Sequence, residues 1–159
     1  MKKLILIAAI GITVSCANAQ KMKSSEVPAA VTAKFASLYP NIKDVDWEKE
    51  DANYEAGFEL NKMEATVVID ANGNLLETEM EMDVTALSKS ATDYAAKNYP
   101  AYKVKGAAKI TDGKGTVMYE AELKNGKDEM DLVFDANGNF IKKVVEESKP
   151  EDEDDEKKK

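Results

Sequence analysis

The chain has 159 residues and a formal net charge of −8, and its hydrophobic content of 43% is enough for one packed domain or two very small ones. It contains no histidine, which excludes a nucleophile activated by imidazole, and Cys16 is the single cysteine, so a metal site of histidine and cysteine is also excluded. Every basic residue is lysine, which excludes an arginine clamp for phosphate. The acidic balance argues against a nucleic-acid partner, and we expect no cofactor and no catalytic residue.

The first 19 residues have the layout of a secretory signal peptide. Lysines at positions 2 and 3 precede an apolar run over 4–14, which is too short to span a bilayer because spanning takes about 20 residues. Ala17-Asn18-Ala19 supplies a small-residue cleavage pattern, so we expect cleavage after Ala19 and a periplasmic or secreted mature protein without a transmembrane segment. The alternative is a lipoprotein anchored at Cys16, with Thr13-Val14-Ser15 as its lipobox.

Most of the remaining sequence occurs twice. The segment 69–76, Ile-Asp-Ala-Asn-Gly-Asn-Leu-Leu, returns at 134–141 as Phe-Asp-Ala-Asn-Gly-Asn-Phe-Ile. Tyr-Glu-Ala at 54–56 returns at 119–121, and Tyr-Pro at 39–40 returns at 99–100. Because the three landmarks keep the same order in both copies, we predict two repeats, residues 20–82 and 83–147.

Each repeat is predicted to begin with a helix that ends at the Tyr-Pro pair. Pro28 suits the first turn of the first helix, and Pro40 and Pro100 stop the two helices. Apolar residues recur at the helical period in both segments. They are Val27, Val31, Phe35, Leu38 and Tyr39 in the first, and Leu87, Ala91, Tyr94, Ala95 and Tyr99 in the second.

Four strands are predicted after each helix, because polar and apolar residues then alternate with period two. Asn61-Lys62 and Asn125-Gly126 are predicted to be short hairpin connections, and the Asp-Ala-Asn-Gly segments to be type I turns with Gly73 and Gly138 left-handed. The predicted fold class is α+β, a tandem repeat of one helix plus a four-stranded antiparallel sheet. Whether the two sheets join edge to edge stays open.

These landmarks resemble the PepSY-like family: a helix ending in Tyr-Pro, a strand with Tyr-Glu-Ala, and a strand closing in Asp-x-x-Gly-x-Leu, in tandem. The resemblance covers about Val27 to Val145 and implies a fold like that of the β-lactamase inhibitory protein. It also implies an exported bacterial protein with an inhibitory or partner-binding role through the open sheet face. Without a cysteine, the predicted mature chain departs from that disulfide-bearing inhibitor, so no inhibitory residue is carried over.

A helix can cover one face of such a sheet, so the other face carries the glutamates and is expected to be exposed. An acidic face attracts basic partners, and apolar residues within it are typical of a contact patch. The expected binding residues are Glu55, Glu59, Glu77, Glu79, Glu81, Met118, Glu120 and Glu122, with Val68, Asp131 and Val133 on the same side.

The favoured function is therefore an exported, non-enzymatic binding protein of the cell envelope, contacting an unknown protein partner through this acidic face. The alternatives are a peptidase-inhibitor-like or chaperone-like role, weak calcium or cation binding on the face, and a solvated face without any ligand.

Three other patterns have simpler explanations. Asp70-x-Asn72-x-Asn74 and its twin at 135–139 resemble the start of a calcium loop, but turn chemistry accounts for these residues and no metal site is predicted. Trp47 is expected in the core or at a sheet edge, and nothing marks a pair of catalytic carboxylates. Residues 148–159 are predicted to be a disordered acidic tail, or alternatively an interaction tail for a basic surface.

Overall fold

The computed structural model describes residues 20–145, so the predicted signal peptide, Cys16 and the acidic tail lie outside the described residues. These residues form two helices, α1 (Ala29–Leu38) and α2 (Lys89–Asn98), and two short 3₁₀ turns at Ser24–Glu26 and Val84–Ala86. They also form nine strands: β1 (Gln20–Met22), β2 (Asp46–Glu50), β3 (Asn53–Leu60), β4 (Met63–Asp70), β5 (Leu75–Glu81), β6 (Lys103–Asp112), β7 (Val117–Asn125), β8 (Asp128–Asp135) and β9 (Phe140–Val145). The predicted α+β class, with helices and antiparallel strands, is confirmed.

All nine strands form one antiparallel sheet in chain order. The strands that follow α1 and those that follow α2 join edge to edge through β5 and β6, where Glu79 lies opposite Ile110. This answers the question that the sequence left open, because the chain forms one continuous sheet rather than two four-stranded ones. The sequence did not predict β1, which pairs with β2 through Met22 opposite Trp47.

The turns follow the predicted chemistry with one difference: Asn125 pairs with Asp128, so the second short connection is Gly126-Lys127 rather than Asn125-Gly126. Asn61 and Lys62 have φ of 55° and 69°, as a two-residue hairpin connection requires. Gly73 and Gly138 have φ of 86° and 80°, the left-handed conformation that favours glycine. In each of these turns the glycine N–H donates to the aspartate carbonyl three residues earlier, at 3.0 and 2.9 Å. The predicted type I turns with a left-handed glycine are therefore confirmed.

Both helices pack on the same face of the sheet. On α1, the Phe35 ring lies 5.5 Å from the Trp47 ring and 5.1 Å from the Phe58 ring between centroids, so Trp47 belongs to the core as expected. On α2, the buried residues of the predicted stripe are the small Ala91 and Ala95. Small side chains let a helix approach the sheet closely, and together the two helices close two adjoining cores.

Leu38, which belongs to the predicted helical stripe, lies outside these cores. It is the last residue of α1 and is 38% exposed, while Tyr39 packs on the core. Leu76 is also 38% exposed. A register shift between Val68 and Ile69 places Leu75 opposite Ile69, so Leu75 takes the inward position that strict alternation would give to its neighbour.

A buried carboxyl cluster as the candidate binding site

The face of the sheet opposite α1 and α2 carries the predicted glutamates, and we call it the carboxyl face. Strand register defines it: Glu77 pairs with Val68, Glu79 with Ile110, and Glu120 with Val133. Val68, Asp131 and Val133 lie on this face, as do all eight predicted binding residues. The eight are Glu55, Glu59, Glu77, Glu79, Glu81, Met118, Glu120 and Glu122.

The expectation that these carboxylates are exposed is wrong for the central ones. Glu79 is 1% exposed, Glu120 5% and Glu77 6%. Of the other predicted residues, one is exposed and four are half-buried. The exposed residue is Glu59, and the half-buried residues are Glu55, Glu81, Met118 and Glu122. The carboxyl face therefore has a buried acidic centre surrounded by more accessible acidic side chains.

Curvature of the sheet accounts for this burial, since both helices lie on the other face. Lys142 on β9 lowers the pKa of Glu77 on β5, although a flat sheet would separate these strands by about 19 Å. Asp131 on β8 raises the pKa of Glu79 on β5, across about 14 Å of flat sheet. Electrostatic interactions between strands three and four positions apart agree with a concave face on which these side chains converge.

Apolar side chains line part of the same concavity. Ile110 and Val133 are completely buried, and Met118 and Val144 pack against them. Ile110 on β6 and Val133 on β8 belong to strands separated by β7, so their contact also requires the sheet to curve towards this side. The buried carboxyls are thus next to a small apolar cluster, which lowers the local polarity and strengthens electrostatic interactions there.

Burial raises the pKa of each central glutamate. Desolvation is the largest cause, and it raises the pKa of Glu55 and Glu77 to about 7, that of Glu79 to about 8 and that of Glu120 to about 10. Repulsion adds to this: the Glu77 and Glu55 charges raise the pKa of Glu79, and the Glu79 charge raises that of Glu120. In the isolated protein at neutral pH, the centre of the cluster therefore holds protons.

Several buried carboxyl oxygens have no hydrogen-bond partner among residues 20–145. They are both Oε atoms of Glu79, Oε1 of Glu77 and Oε2 of Glu120. Leaving a buried polar group unpaired costs about 1–3 kcal/mol, more when the group is charged. The cluster therefore destabilises the fold when nothing is bound to it, and a group that donates hydrogen bonds would remove this cost.

The aspartates of the two Asp-Ala-Asn-Gly turns are different, because the turns themselves use their oxygens. Oδ1 of Asp70 accepts from the backbone N–H groups of Asn72 and Asn74 at 2.9 and 2.8 Å, and Oδ2 accepts from the Asn74 side chain at 2.8 Å. These hydrogen bonds, led by the Asn74 side chain, lower the pKa of Asp70. The geometry supports the turn interpretation, and Asp135 has the same contacts in the second turn.

The described part of the chain has neither a metal-binding cluster nor a membrane-spanning helix. No group of three or more Asp, Glu, His or Cys side chains within residues 20–145 has a geometry that could hold a metal ion. In the same residues, neither helix is long and apolar enough to cross a membrane, since α1 and α2 have ten residues each.

Sequence reasoning missed the burial of the acidic centre, although one signal for it is present. β4 and β8 each contain five consecutive buried residues, 65–69 and 130–134. Both segments are apolar almost throughout and depart from alternation, a pattern typical of strands that are buried on both faces. These two strands therefore indicate that the carboxyl face is partly closed.

Comparisons with known proteins agree with this fold. A family model described as "Putative beta-lactamase-inhibitor-like, PepSY-like" matches the chain twice, over residues 12–77 and 65–142. No curated protein sequence matches the chain.

Solved structures from Bacteroides species have similar folds. A DUF2874 family protein from Bacteroides uniformis has a TM-score of 0.66 and 19% identity, covering 74% of this chain and 88% of its own. A protein from Bacteroides eggerthii described as a putative periplasmic protein has a TM-score of 0.67 and 12% identity, covering 75% and 88%. A BLIP-like protein from Bacteroides fragilis has a TM-score of 0.60 and 22% identity, covering 77% and 91%. With the family model matched over most of its length, the chain belongs to the PepSY-like, beta-lactamase-inhibitor-like family.

Proposed function

We propose that the protein is an exported, non-enzymatic binding protein of the cell envelope that contacts a protein partner through the carboxyl face. The observation that carries this proposal is the buried Glu79 carboxyl, which is 1% exposed and has both oxygens unpaired. A bound partner would supply the missing hydrogen-bond donors, and the half-buried Met118 would give it apolar contact area beside the acids.

We infer the chain organisation from the same features. Residues 1–19 are a signal peptide cleaved after Ala19, 20–82 and 83–147 are two copies of one unit, and 148–159 form a disordered acidic tail. Two matches to one family model and the order of helix then four strands, twice, support the repeat. The description of the Bacteroides eggerthii structure as a putative periplasmic protein supports export.

An inhibitor-like role is the second candidate, because the family model is described as beta-lactamase-inhibitor-like. In this role the carboxyl face would cover a basic surface on an enzyme and block access to it. Cation binding on the face has less support, since no cluster in residues 20–145 has metal-binding geometry.

Site-specific photo-crosslinking tests the proposed face. The variant Met118→p-benzoylphenylalanine places the crosslinker on the carboxyl face, and Lys89→p-benzoylphenylalanine places it on the exposed side of α2 as a matched control. In envelope extract we expect a discrete crosslinked product from position 118 and none from position 89. No product from position 118, or the same product from both positions, would refute the use of this face.

A further inference from the structure

We propose that the carboxyl face contains a receptor site for one lysine side chain, with Glu77, Glu79 and Glu120 as the acceptors of its ammonium group. This site rests on the proposed function and names the chemistry that the partner brings to the face. It follows from three observations: the number and position of the unpaired oxygens, the placement of the three carboxyls on two non-adjacent strands (Glu77 and Glu79 on β5, Glu120 on β7), and room for a side chain at Gly57 on the same face.

The unpaired oxygens match a donor that has no acceptor of its own. Glu79 offers two oxygens, and Glu77 and Glu120 offer one each. All three side chains are more than nine-tenths buried, so water reaches them poorly. A lysine ammonium has three N–H donors and no acceptor, so it can satisfy oxygens of several carboxyls at once without leaving a new unpaired group.

The arrangement of the acids favours an ammonium over other cations. Glu79 lies on β5 and Glu120 on β7, so the acceptors approach from separate strands. An arginine guanidinium is planar and is best matched by the two oxygens of one carboxylate, whereas a compact ammonium suits convergent single acceptors. Calcium prefers six to eight oxygens, and these residues form no metal-binding group.

Room for a side chain exists at Gly57 on β3. Gly57 lies on the carboxyl face opposite Thr66, which in turn lies opposite Glu79. A Cβ built on Gly57 would meet a single atom within 4 Å, the Asp46 carbonyl oxygen at 3.8 Å. A side chain therefore fits at position 57, two places from Glu79 in the same cross-strand row, with the buried Thr66 between them.

Charge balance is simple for this binding step. The ammonium enters with its positive charge, a carboxyl proton of the cluster is released to water, and the new carboxylate pairs with the ammonium. No covalent bond is formed or broken in the protein other than that O–H bond. The charge that a buried carboxylate would otherwise carry alone is thereby compensated.

The first test supplies the lysine from the chain itself. Gly57→Lys places an ammonium within reach of the cluster, and Gly57→Met is the control with similar length and no charge. We expect the carboxyl ¹³C resonance of Glu79 at neutral pH to move to its ionised position in Gly57→Lys and to stay at its protonated position in Gly57→Met. The same Glu79 resonance position in both folded variants would overturn the proposal.

The second test adds the group in trans. Acetyl-Gly-Lys-Gly-amide is titrated against the protein, with acetyl-Gly-(Nε-acetyl-Lys)-Gly-amide as the uncharged control. We expect the Glu79 and Glu120 resonances to respond to the first peptide at least tenfold more strongly than to the second, and Glu79→Gln to abolish this difference. Equal responses to the two peptides, or responses confined to the exposed Glu59, would overturn the lysine site.

The two proposals fail separately in these experiments. If position 118 crosslinks to a partner while Glu79 ignores both the tethered and the free lysine, the face is used but the lysine site is refuted. If Glu79 responds to lysine and no partner crosslinks at position 118, the lysine site stands and the protein-binding function is refuted.

Discussion

The buried acids predict that stability falls as the pH rises. Burial raises the pKa of Glu79 in the folded protein to about 8, from an ordinary value of 4.5. Between these two values the folded protein binds more protons than the unfolded chain. The stabilising contribution is therefore fully present below about pH 4.5, and it is lost as the pH rises towards 8.

The expected magnitude follows from the size of the shift. One pKa unit corresponds to about 1.4 kcal/mol, so Glu79 alone would lower the free energy of unfolding by about 1.4 kcal/mol per pH unit between about pH 5 and 7.5. Relaxation of the sheet and entry of water reduce this figure, and we expect roughly half of it. Over that range the loss is about 2 kcal/mol, a measurable part of the 5–15 kcal/mol typical of a domain.

Urea unfolding at several pH values measures this effect, with fluorescence of the buried Trp47 as the probe. We expect Glu79→Gln to reduce the pH slope of the free energy of unfolding, because one titrating group has been removed. Glu59→Gln, which alters an exposed residue on the same face, is the matched control and should keep the wild-type slope. A wild-type stability that rises from pH 5 to 7.5, or equal slopes in all three proteins, would refute the reasoning.

Further predictions concern the turns and the core. Gly138→Ala should lower the free energy of unfolding more than Gly126→Ala does. Both glycines have positive φ, but only at Gly138 would an added Cβ meet serine side chains. Equal urea midpoints for the two variants would contradict this. Leu132→Ala should cost about 2–5 kcal/mol because Leu132 is completely buried, whereas Leu38→Ala, at a 38% exposed position, should cost under about 1 kcal/mol by the same assay. Asp135→Ala should lower stability by about 1 kcal/mol in thermal unfolding, since its carboxylate accepts two backbone N–H groups of the turn; an unchanged melting temperature would argue against a structural role.

Local patterns in the sequence predicted the elements well. The helical period identified Val31 and Phe35 as core residues, and turn chemistry identified Gly73 and Gly138 as left-handed. The expectation fails at Leu38, the last residue of α1, which is 38% exposed, whereas Tyr39 just after the helix packs on the core. The helical period in the sequence shows which face of the helix a residue lies on, but it does not show at which residue the helix ends.

The buried state of the candidate site could not be obtained in the same way. Alternation correctly assigned Glu79 and Glu120 to one face, but exposure of a face depends on how far the whole sheet curves. Curvature arises from twist and from bulges, such as the shift between Val104 and Gly106 in the pairing of β6 with β7, and the alternation within a single strand does not reveal either. The segments 65–69 of β4 and 130–134 of β8 carried part of this information, because each is apolar at four of five positions and all five residues are buried.

Strand pairing in this sheet also has a consequence for how the chain acquires its fold. Each strand bonds to its immediate successor along the chain, from β1 through β9: six of the eight pairings are joined by short connections, whereas β1–β2 and β5–β6 each enclose a helix. Closing the short connections costs little entropy, whereas the two pairings across a helix close longer loops and cost more. Residues 20–145 also contain no cysteine, so no oxidation step has to precede folding. A polypeptide that emerges gradually from a translocation channel could thus add hairpins one after another, each new strand extending an edge that is already formed.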